Sequence, residues 1–314
     1  MSRAARSLAA GLWVVLRAPI LVLVVVVMTM AAAAPFGALL GSRLQEALAN
    51  QPPIALGSGE IDADWWAEFR AHAEGLAATF TPTVIGFAAP LDNLSAILDG
   101  TRRPLALVAP VAVMVVIWAW LWGGILQRFN AGRGLSPREF VAAAFAHAPR
   151  FVAISAVAAV AQLVLYLTVH AVLFGPVFNA LAANNDSEST AFLIRVGLYV
   201  VFAIPLVLVS LAADYTRIGL VVTGPLRLRD PLGDGVGFIR RNLGSVLVLY
   251  LLTGMLFVGL LAVYGAGEIY GGSHVGGWRG ILIGQVYIIA RLVIRLTFAA
   301  SEVQLFKSLR GQPS

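Results

Sequence analysis

The sequence predicts an all-α protein, a polytopic transmembrane helical bundle of six spans with amphipathic helices at the membrane interface. Composition is the first reason: 59% of the 314 residues are hydrophobic and 12% are charged, whereas soluble domains carry about 25% charged residues. The mean hydropathy of +0.85 is the second reason. The third is that the charges flank apolar runs of about 20 residues, the length at which a helix crosses a bilayer.

Six such apolar runs lie in one predicted membrane domain, residues 1–314. The first follows Arg3 and Arg6 but exceeds the about 7–15 residues of a signal-peptide core, so we expect an uncleaved anchor. The sixth is interrupted by two arginines. The spans are expected at about residues 20–40, 104–127, 151–178, 192–222, 243–267 and 278–306.

The arginines and the acids are distributed unequally between the loops. Most arginines outside the spans lie in the N-terminal segment, the 128–150 and 223–242 loops and the C-terminal segment, whereas most acids lie in the other loops. The positive-inside rule then places both termini in the cytoplasm and the 43–103 loop outside, in the inner membrane of a bacterium. We therefore assign the net charge of +6 to topology and anionic lipid headgroups, and expect no nucleic-acid partner.

Two of the basic loops open with the same helix-start signal. Ser136, Pro137 and Glu139 form a capping box with proline at the first helical position. Asp230 and Pro231 repeat the N-cap and proline, and the N-terminal segment is a looser third copy. Each copy predicts a short amphipathic helix at the cytoplasmic interface followed by a helical hairpin. The copies indicate either an internal repeat or three independent elbows.

Charged residues inside the predicted spans mark a candidate site, because each costs about 2.5–3.5 kcal/mol at a helix centre unless it is paired. Helical spacing puts the charges of the sixth span on one stripe, which we expect to face protein rather than lipid. Asp214 is expected to pair with Arg291 or Arg295, or alternatively with Arg217 in its own helix. The group serves as a structural clamp or a coupling site and consists of Asp214, Arg217, Arg291, Arg295 and Glu302.

Polar residues form a second stripe on the third span. Ser155, Gln162, Tyr166 and His170 follow one another at spacings of seven, four and four residues, which places them on one helix face. Such residues hydrogen-bond neighbouring helices or line a polar cavity. Both interpretations remain open at this point.

The outer loop contains an acidic, tryptophan-rich stretch in a predicted amphipathic helix over residues 62–80. Asp62 is placed to cap the helix, and Asp64 and Glu68 lie in its first turns, where the helix dipole favours negative charge. Trp65 and Trp66 belong to an apolar stripe suited to the membrane interface. We expect interfacial docking from these five residues, with ligand binding as the alternative.

Recognisable catalytic and metal-binding motifs are missing from the sequence. There is no cysteine, and the four histidines are widely separated. Neither the zinc-protease, nucleophile-elbow nor Walker pattern occurs. We therefore expect no cofactor and no bound metal.

Several stretches resemble a type of uncharacterised bacterial inner-membrane protein. They are DADWWAEF in the outer loop, LAADYTRIGLVV at the end of the fourth span, FIRRNLGSVLVLYLL entering the fifth and ASEVQLFKSLR near the C-terminus. The resemblance extends over nearly the full length and implies the same polytopic topology. It implies no particular activity.

The sequence therefore favours a non-enzymatic membrane component of an envelope or transport system that handles lipid or a small hydrophobic solute. A membrane-embedded enzyme that acts on lipid-linked substrates through the outer-loop carboxylates is one alternative. A structural subunit of a membrane complex is another. The expected partners are the bilayer, anionic headgroups at the cytoplasmic arginines, and either another membrane protein or further copies of the chain.

Overall fold

A computed structural model describes residues 2–48, 63–75, 77–79, 88–101, 105–183, 187–224, 229–270 and 278–311. In these ranges the chain is helical and has no β-strand, which confirms the all-α prediction. Short 3₁₀ turns lie at Ala77–Thr79 and Leu105–Leu107. The α-helices are α1 (Arg3–Leu16), α2 (Pro19–Leu48), α3 (Ala63–His72), α4 (Ala88–Asp99), α5 (Val108–Ala131), α6 (Pro137–Leu165), α7 (Phe178–Ala182), α8 (Glu188–Thr223), α9 (Arg229–Tyr270) and α10 (Trp278–Arg310).

Six helical segments of the described chain are long and apolar enough to cross a membrane, so the chain is a multi-pass membrane protein. Each overlaps one of the six predicted spans. Their mean hydropathies lie between 1.6 and 2.6, with the lowest value in the last segment, where the arginines interrupt the apolar run. The segments are Pro19–Arg43, Leu105–Ala131, Pro137–Ala182, Glu188–Thr223, Pro231–Tyr270 and Leu282–Arg310.

The helix starts show how local sequence determines the elbows. Ser136 caps α6: its hydroxyl accepts from the Glu139 N–H, and the Glu139 carboxylate accepts from the Ser136 N–H at 2.7 Å. This is the reciprocal pair that the sequence predicts. At the N-terminus, α1 ends at Leu16 and α2 begins at Pro19, with the Arg17 guanidinium 4.2 Å from the centre of the Trp13 ring.

Two elements differ from the sequence-based expectation. The first helix of the 128–150 loop does not stop before the third span, because α6 continues through Pro149 to Leu165. In α9, by contrast, the expected junction before the fifth span is present as a kink at Asn242, whose φ of −128° and ψ of 23° are not helical. In the outer loop, α3 ends at His72 rather than near residue 80, and residues 73–75 separate it from the next turn.

Contacts group the chain into two compact units. The first consists of Met1–Asn93, Arg103–Trp118 and Leu247–Gln304. The second consists of Leu94–Arg102, Ala119–Val246 and Leu305–Ser314.

The core of the first unit includes a close contact between α1 and α10. The buried face of α1 is a stripe of small side chains and one valine: Ala4, Ser7, Gly11 and Val15. A β-carbon on Gly11 would lie 2.6 Å from the backbone nitrogen of Ser301 in α10. Because no real β-carbon sits that close, only glycine allows this approach.

The core of the second unit combines glycine contacts with aromatic packing. Gly123 of α5 lies against the backbone of α6, where a β-carbon would be 2.9 Å from the Ala143 carbonyl oxygen. Tyr215 of α8, Phe238 of α9 and Phe306 of α10 pack together, and the ring centres of the two phenylalanines are 4.7 Å apart. These contacts hold the ends of α5, α8 and α10 and the starts of α6 and α9.

Burial changes along α8 from an exposed first part to a buried second part. In α8 the exposed large apolar side chains run from Phe192 to Leu208, and a densely buried stretch follows from Leu211 to Val221. The exposed part is about 24 Å long, close to the about 30 Å of a bilayer's hydrocarbon core. The exposed apolar half is the part that fits a lipid environment, and the buried half is a protein core.

Candidate functional site

An open groove runs along α5 in the first unit. Its cavity volume is about 300 Å³, and its lining is apolar except for one arginine. The α5 residues recur with helical spacing over eight positions, or about 12 Å of helix, so they form one continuous wall. The lining residues are Pro110, Val111, Met114, Val115, Trp118 and Arg295.

The charged end of the groove is formed by Arg295 and Trp118. The guanidinium carbon lies 3.7 Å from the centre of the indole ring, a distance at which cation–π attraction contributes about 0.5–2 kcal/mol. Trp118 is only 8% exposed, whereas the Arg295 side chain is exposed. The groove therefore combines a fixed aromatic floor with an accessible cation.

Arg295 lies where the exposed surface of α10 changes from apolar to charged. The exposed large apolar residues of this helix are Leu282, Val286, Ile288 and Ile289, and the next exposed residue is Arg291. On α5 the corresponding exposed apolar stretch ends at Val116, two residues before Trp118. The charged end of the groove thus lies on the side where the exposed apolar stretches of α5 and α10 end.

The predicted stripe on α10 is divided in the structure. Arg291 and Arg295 are exposed, and Arg291 lies 5.7 Å from the centre of the Phe257 ring. Glu302 is 3% exposed and lies inside the protein. Only the glutamate end of the stripe is surrounded by protein as expected.

A polar cluster in the second unit joins α6 and α8. The Arg217 guanidinium donates to the Asp214 carboxylate at 2.7 Å and to the Ser155 hydroxyl at 3.0 Å. The ion pair is the within-helix alternative that the spacing of three residues allows. The pairing of Asp214 with Arg291 or Arg295 would join the two units and stays a prediction.

Ser155 belongs to the predicted polar stripe on the third span, so Arg217 joins that stripe to the charged pair on the fourth span. Gln162 is half-buried further along α6. Tyr166 and His170 lie beyond it on a π-helical segment, Tyr166–His170, and a second π-segment follows at Leu173–Val177. Such π-bulges are frequent at functional sites.

Tyr166 and His170 hold the end of α4. The Tyr166 hydroxyl donates to the Ile97 carbonyl, and His170 Nε2 lies 3.0 Å from the Leu98 carbonyl oxygen. Because a carbonyl only accepts hydrogen bonds, His170 Nε2 carries a proton here. These bonds satisfy two of the carbonyl groups that a helix end leaves without an intrahelical partner.

The backbone completes the same cap. Gly100 has a φ of 63°, and the Thr101 N–H donates to the Ala96 carbonyl at 3.0 Å. This is the Schellman pattern, which glycine favours at the position after the helix. A β-carbon on Gly100 would lie 3.2 Å from His170 Cε1, so a larger residue would require the imidazole to shift by a few tenths of an ångström.

Aromatic rings pack against Tyr166 and His170, which contact the end of α4. Phe202 of α8 is fully buried and meets Tyr166 and His170 edge-on at ring-centre distances of 5.1 and 5.0 Å. Phe174 stacks on His170 at 4.5 Å. The rings leave Tyr166 and His170 little freedom to turn, so the polar atoms stay directed at α4.

Asp99, the last residue of α4, is the charged member of the cluster. The Tyr199 hydroxyl donates to its carboxylate, and the Ser95 hydroxyl does so at 2.9 Å. The Tyr199 hydrogen bond is the main cause that lowers the pKa of Asp99, with smaller contributions from Ser95 and from the charges of Arg195 and His170, against a rise from burial. Asp99 is therefore a hydrogen-bonded carboxylate.

The structure describes part of the acidic stretch of the outer loop. Asp62 lies outside the described residues, and for Asp64 and Trp65 the structure describes the backbone alone. Trp66 is half-buried and stacks on the buried Phe69 at 5.6 Å, while Glu68 is exposed. Among the described residues no group of three histidines, aspartates or glutamates is placed to hold a metal ion.

Sequence reasoning missed the α5 wall of the groove and the Asp99 cluster. A signal existed for each. Trp118, Trp120 and Trp122 alternate in one short stretch, which is typical of a membrane interface. Asp99 precedes Gly100 at the end of an apolar periodic segment, which is typical of a helix C-terminus. Neither signal indicates which distant residues come to the same place.

Comparison of the chain with protein-family models, with curated proteins and with solved structures finds no match.

Proposed function

We propose that the protein is a non-enzymatic membrane component of an envelope or transport system, and that the groove on α5 holds a lipid or a small hydrophobic solute. The observation that supports this proposal is the groove itself, an apolar concavity of about 300 Å³ that contains one cationic side chain. Ligand sites are concave, mostly apolar and provided with few polar groups, which is the character of this groove.

The proposed location is the inner membrane of a bacterium, with both termini in the cytoplasm. The support is the excess of arginine in the terminal segments and in the 128–150 and 223–242 segments. In this orientation the 43–103 loop and the cap of α4 lie outside. The system would supply a membrane protein partner or a second copy of the chain.

Alkaline-phosphatase fusions test the orientation. The enzyme is active only outside the cytoplasm, so fusions after Gly75 should be active and fusions after Gly134 inactive. The reverse pattern would show that the chain is inserted the other way round.

Filling the groove tests the proposed function. Val111→Phe combined with Met114→Phe places two rings in the groove, whereas Val113→Phe with Val116→Phe adds the same two rings to exposed α5 positions outside the groove lining. Native mass spectrometry of the full chain from mild detergent should show a bound apolar molecule in the parent and the control. The groove-filled chain should retain several-fold less. Equal retention by all three would contradict the proposal.

Single alanine variants compare the proposal with the enzymatic alternative. In cells that carry only the variant chain, Asp62→Ala, Asp64→Ala and Glu68→Ala should leave the cellular phenotype unchanged while the groove-filled variant impairs it. Impairment by a carboxylate variant that still accumulates in the membrane, with no effect of groove filling, would favour an enzyme instead.

A further inference from the structure

We propose that the groove binds an anionic glycerophospholipid, with one acyl chain along α5 and the phosphate at Arg295. This inference rests on the proposed function, because it identifies the class of molecule that the same groove takes. It follows from the shape of the groove, its depth in the membrane and its one charge.

The shape of the groove fits an acyl chain. Its wall runs from Pro110 to Trp118, about 12 Å along the helix axis, and is lined by valine and methionine side chains. Methionine is flexible and adapts to chains of different conformation. An open apolar groove of this length accommodates one extended hydrocarbon chain, which would be fixed at one end by a polar group.

The depth of the groove places its charged end at the headgroup level. The exposed apolar residues of α5 end at Val116, and those of α10 end at Ile289. Trp118 lies two residues beyond the first limit, and Arg295 lies six residues, about 9 Å, beyond the second. Tryptophan and arginine are the residues that anchor helices at the edge of the hydrocarbon core, so the two side chains lie at that edge, where a long arginine side chain reaches a lipid headgroup.

The direction of the groove selects one leaflet. From Arg295 the apolar wall extends toward Pro110, which is toward the middle and the opposite side of the bilayer. A lipid whose headgroup is at Arg295 has its chains pointing in that direction. In the proposed orientation this is a lipid of the cytoplasmic leaflet.

The charge at the end of the groove selects an anion. The Arg295 guanidinium carbon lies 3.7 Å from the centre of the Trp118 ring, and the side chain is exposed at the end of the groove. Arg295 also makes contacts within the protein, and its five N–H donors allow a phosphate to bind beside those contacts. Arginine binds phosphate with two parallel hydrogen bonds, and a headgroup without a compensating cation gains most from the positive charge.

Quenching of tryptophan fluorescence by brominated lipids tests this proposal. The full chain is placed in nanodiscs of phosphatidylcholine that contain a minor fraction of brominated-chain phosphatidylglycerol or, in parallel, brominated-chain phosphatidylcholine. The difference between the parent and Trp118→Phe reports the Trp118 contribution. Brominated phosphatidylglycerol should quench Trp118 at least three-fold more than the same fraction of brominated phosphatidylcholine.

Two arginine variants establish whether Arg295 is responsible. Arg295→Gln should remove the preference and bring the ratio close to one. Arg291→Gln is the matched control, since Arg291 is exposed on the same helix, one turn away, and lies near Phe257 outside the groove. Its ratio should stay at the parent value. Counting bound lipids by native mass spectrometry gives the same comparison without the Trp118→Phe variant.

The outcomes separate this inference from the proposed function. If both brominated lipids quench Trp118 equally and groove filling abolishes both effects, the groove holds a chain without selecting the headgroup, and the inference fails alone. If Arg295→Gln keeps the preference, the inference also fails. If neither lipid quenches Trp118 in a groove-dependent way, both the inference and the proposed function fail.

Discussion

Arg217 shows at the scale of one residue what spacing can and cannot predict. Its contact with Asp214 follows from a separation of three residues on a helix. Its contact with Ser155 joins positions 62 residues apart and depends on how α6 and α8 cross. Sequence reasoning found all three polar residues inside the spans, but periodicity alone carries no information about the crossing.

Removing the Arg217 guanidinium should destabilise the second unit. Arg217→Leu removes one charged donor from a half-buried carboxylate and from a half-buried hydroxyl, so we expect a loss of about 2–4 kcal/mol in the free energy of unfolding. Arg217→Lys should lose less free energy of unfolding than Arg217→Leu, because lysine keeps the positive charge. It should still be less stable than the parent, because an ammonium group cannot reach two partners in one plane. Thermal unfolding in detergent measures both. Equal stability of Arg217→Leu and the parent would contradict the cluster's structural role.

Asp99 gives a pH-dependent prediction at the same scale. Its pKa in the folded chain is lowered, mainly by the Tyr199 hydroxyl, so the stabilisation is present above the unfolded pKa of about 3.9 and is lost as the pH falls through the folded value. Tyr199→Phe should reduce the melting temperature by a constant amount from pH 7 to pH 5. The difference should shrink below about pH 4. A difference that grows on acidification would refute the assignment.

The elements show where local signals were sufficient. The capping box that starts α6 was predicted from Ser136, Pro137 and Glu139 and is present with both hydrogen bonds, because it depends on four consecutive residues. The course of the chain after the cap was not predictable in the same way. Pro149 is accommodated inside α6, and Asn242 breaks α9. Whether a helix continues or kinks depends on the helices packed against it.

The contact between α1 and α10 also depends on tertiary packing. The sequence identified α1 as an amphipathic helix, but nothing in its periodicity shows that Gly11 meets the Ser301 backbone. The buried stripe of Ala4, Ser7 and Gly11 makes this approach possible. The same helix face would otherwise be assigned to the lipid interface.

Glycine-to-alanine substitutions at two sites should act in opposite directions. Gly11→Ala inserts a β-carbon 2.6 Å from the Ser301 nitrogen, so we expect a loss of about 1–3 kcal/mol from overpacking. Gly37→Ala in α2 meets no heavy atom within 4 Å and should stabilise by about 0.5–1 kcal/mol through helix propensity. Denaturant or thermal unfolding in detergent compares them. Stabilisation by both would show that α1 does not pack closely on α10.

At the scale of the whole molecule, spans can combine an exposed apolar part with a buried part. In α8 the exposed part runs from Phe192 to Leu208, about 24 Å, and the buried part follows it. In α9 the exposed large apolar side chains extend further, from Leu243 to Tyr270. Composition was sufficient to predict six spans, because apolar length alone decides that a helix crosses the membrane. The division within α8 required the structure, because exposed and buried parts are equally apolar in sequence.

The groove lies at the boundary between the exposed and the buried part of α5. The apolar wall from Pro110 to Val115 belongs to the exposed part of α5, whereas Trp118 and the residues after it belong to the buried part. A lateral groove at that boundary is accessible from the lipid phase. Lipid can enter the groove only if the exposed part of α5 lies in hydrocarbon.

Site-directed spin labelling measures whether the exposed parts of the spans lie in hydrocarbon, and the chain has no cysteine that would add background. Single cysteines at Val116, Ile204 and Met255 carry a nitroxide in reconstituted vesicles, with Ser136 as the water-exposed reference. Oxygen should relax the first three labels strongly and a water-soluble nickel complex should not, while the nickel complex should relax the label at Ser136. Strong relaxation by nickel at Val116, Ile204 and Met255 would show that these positions lie in water and that the groove does not open to lipid.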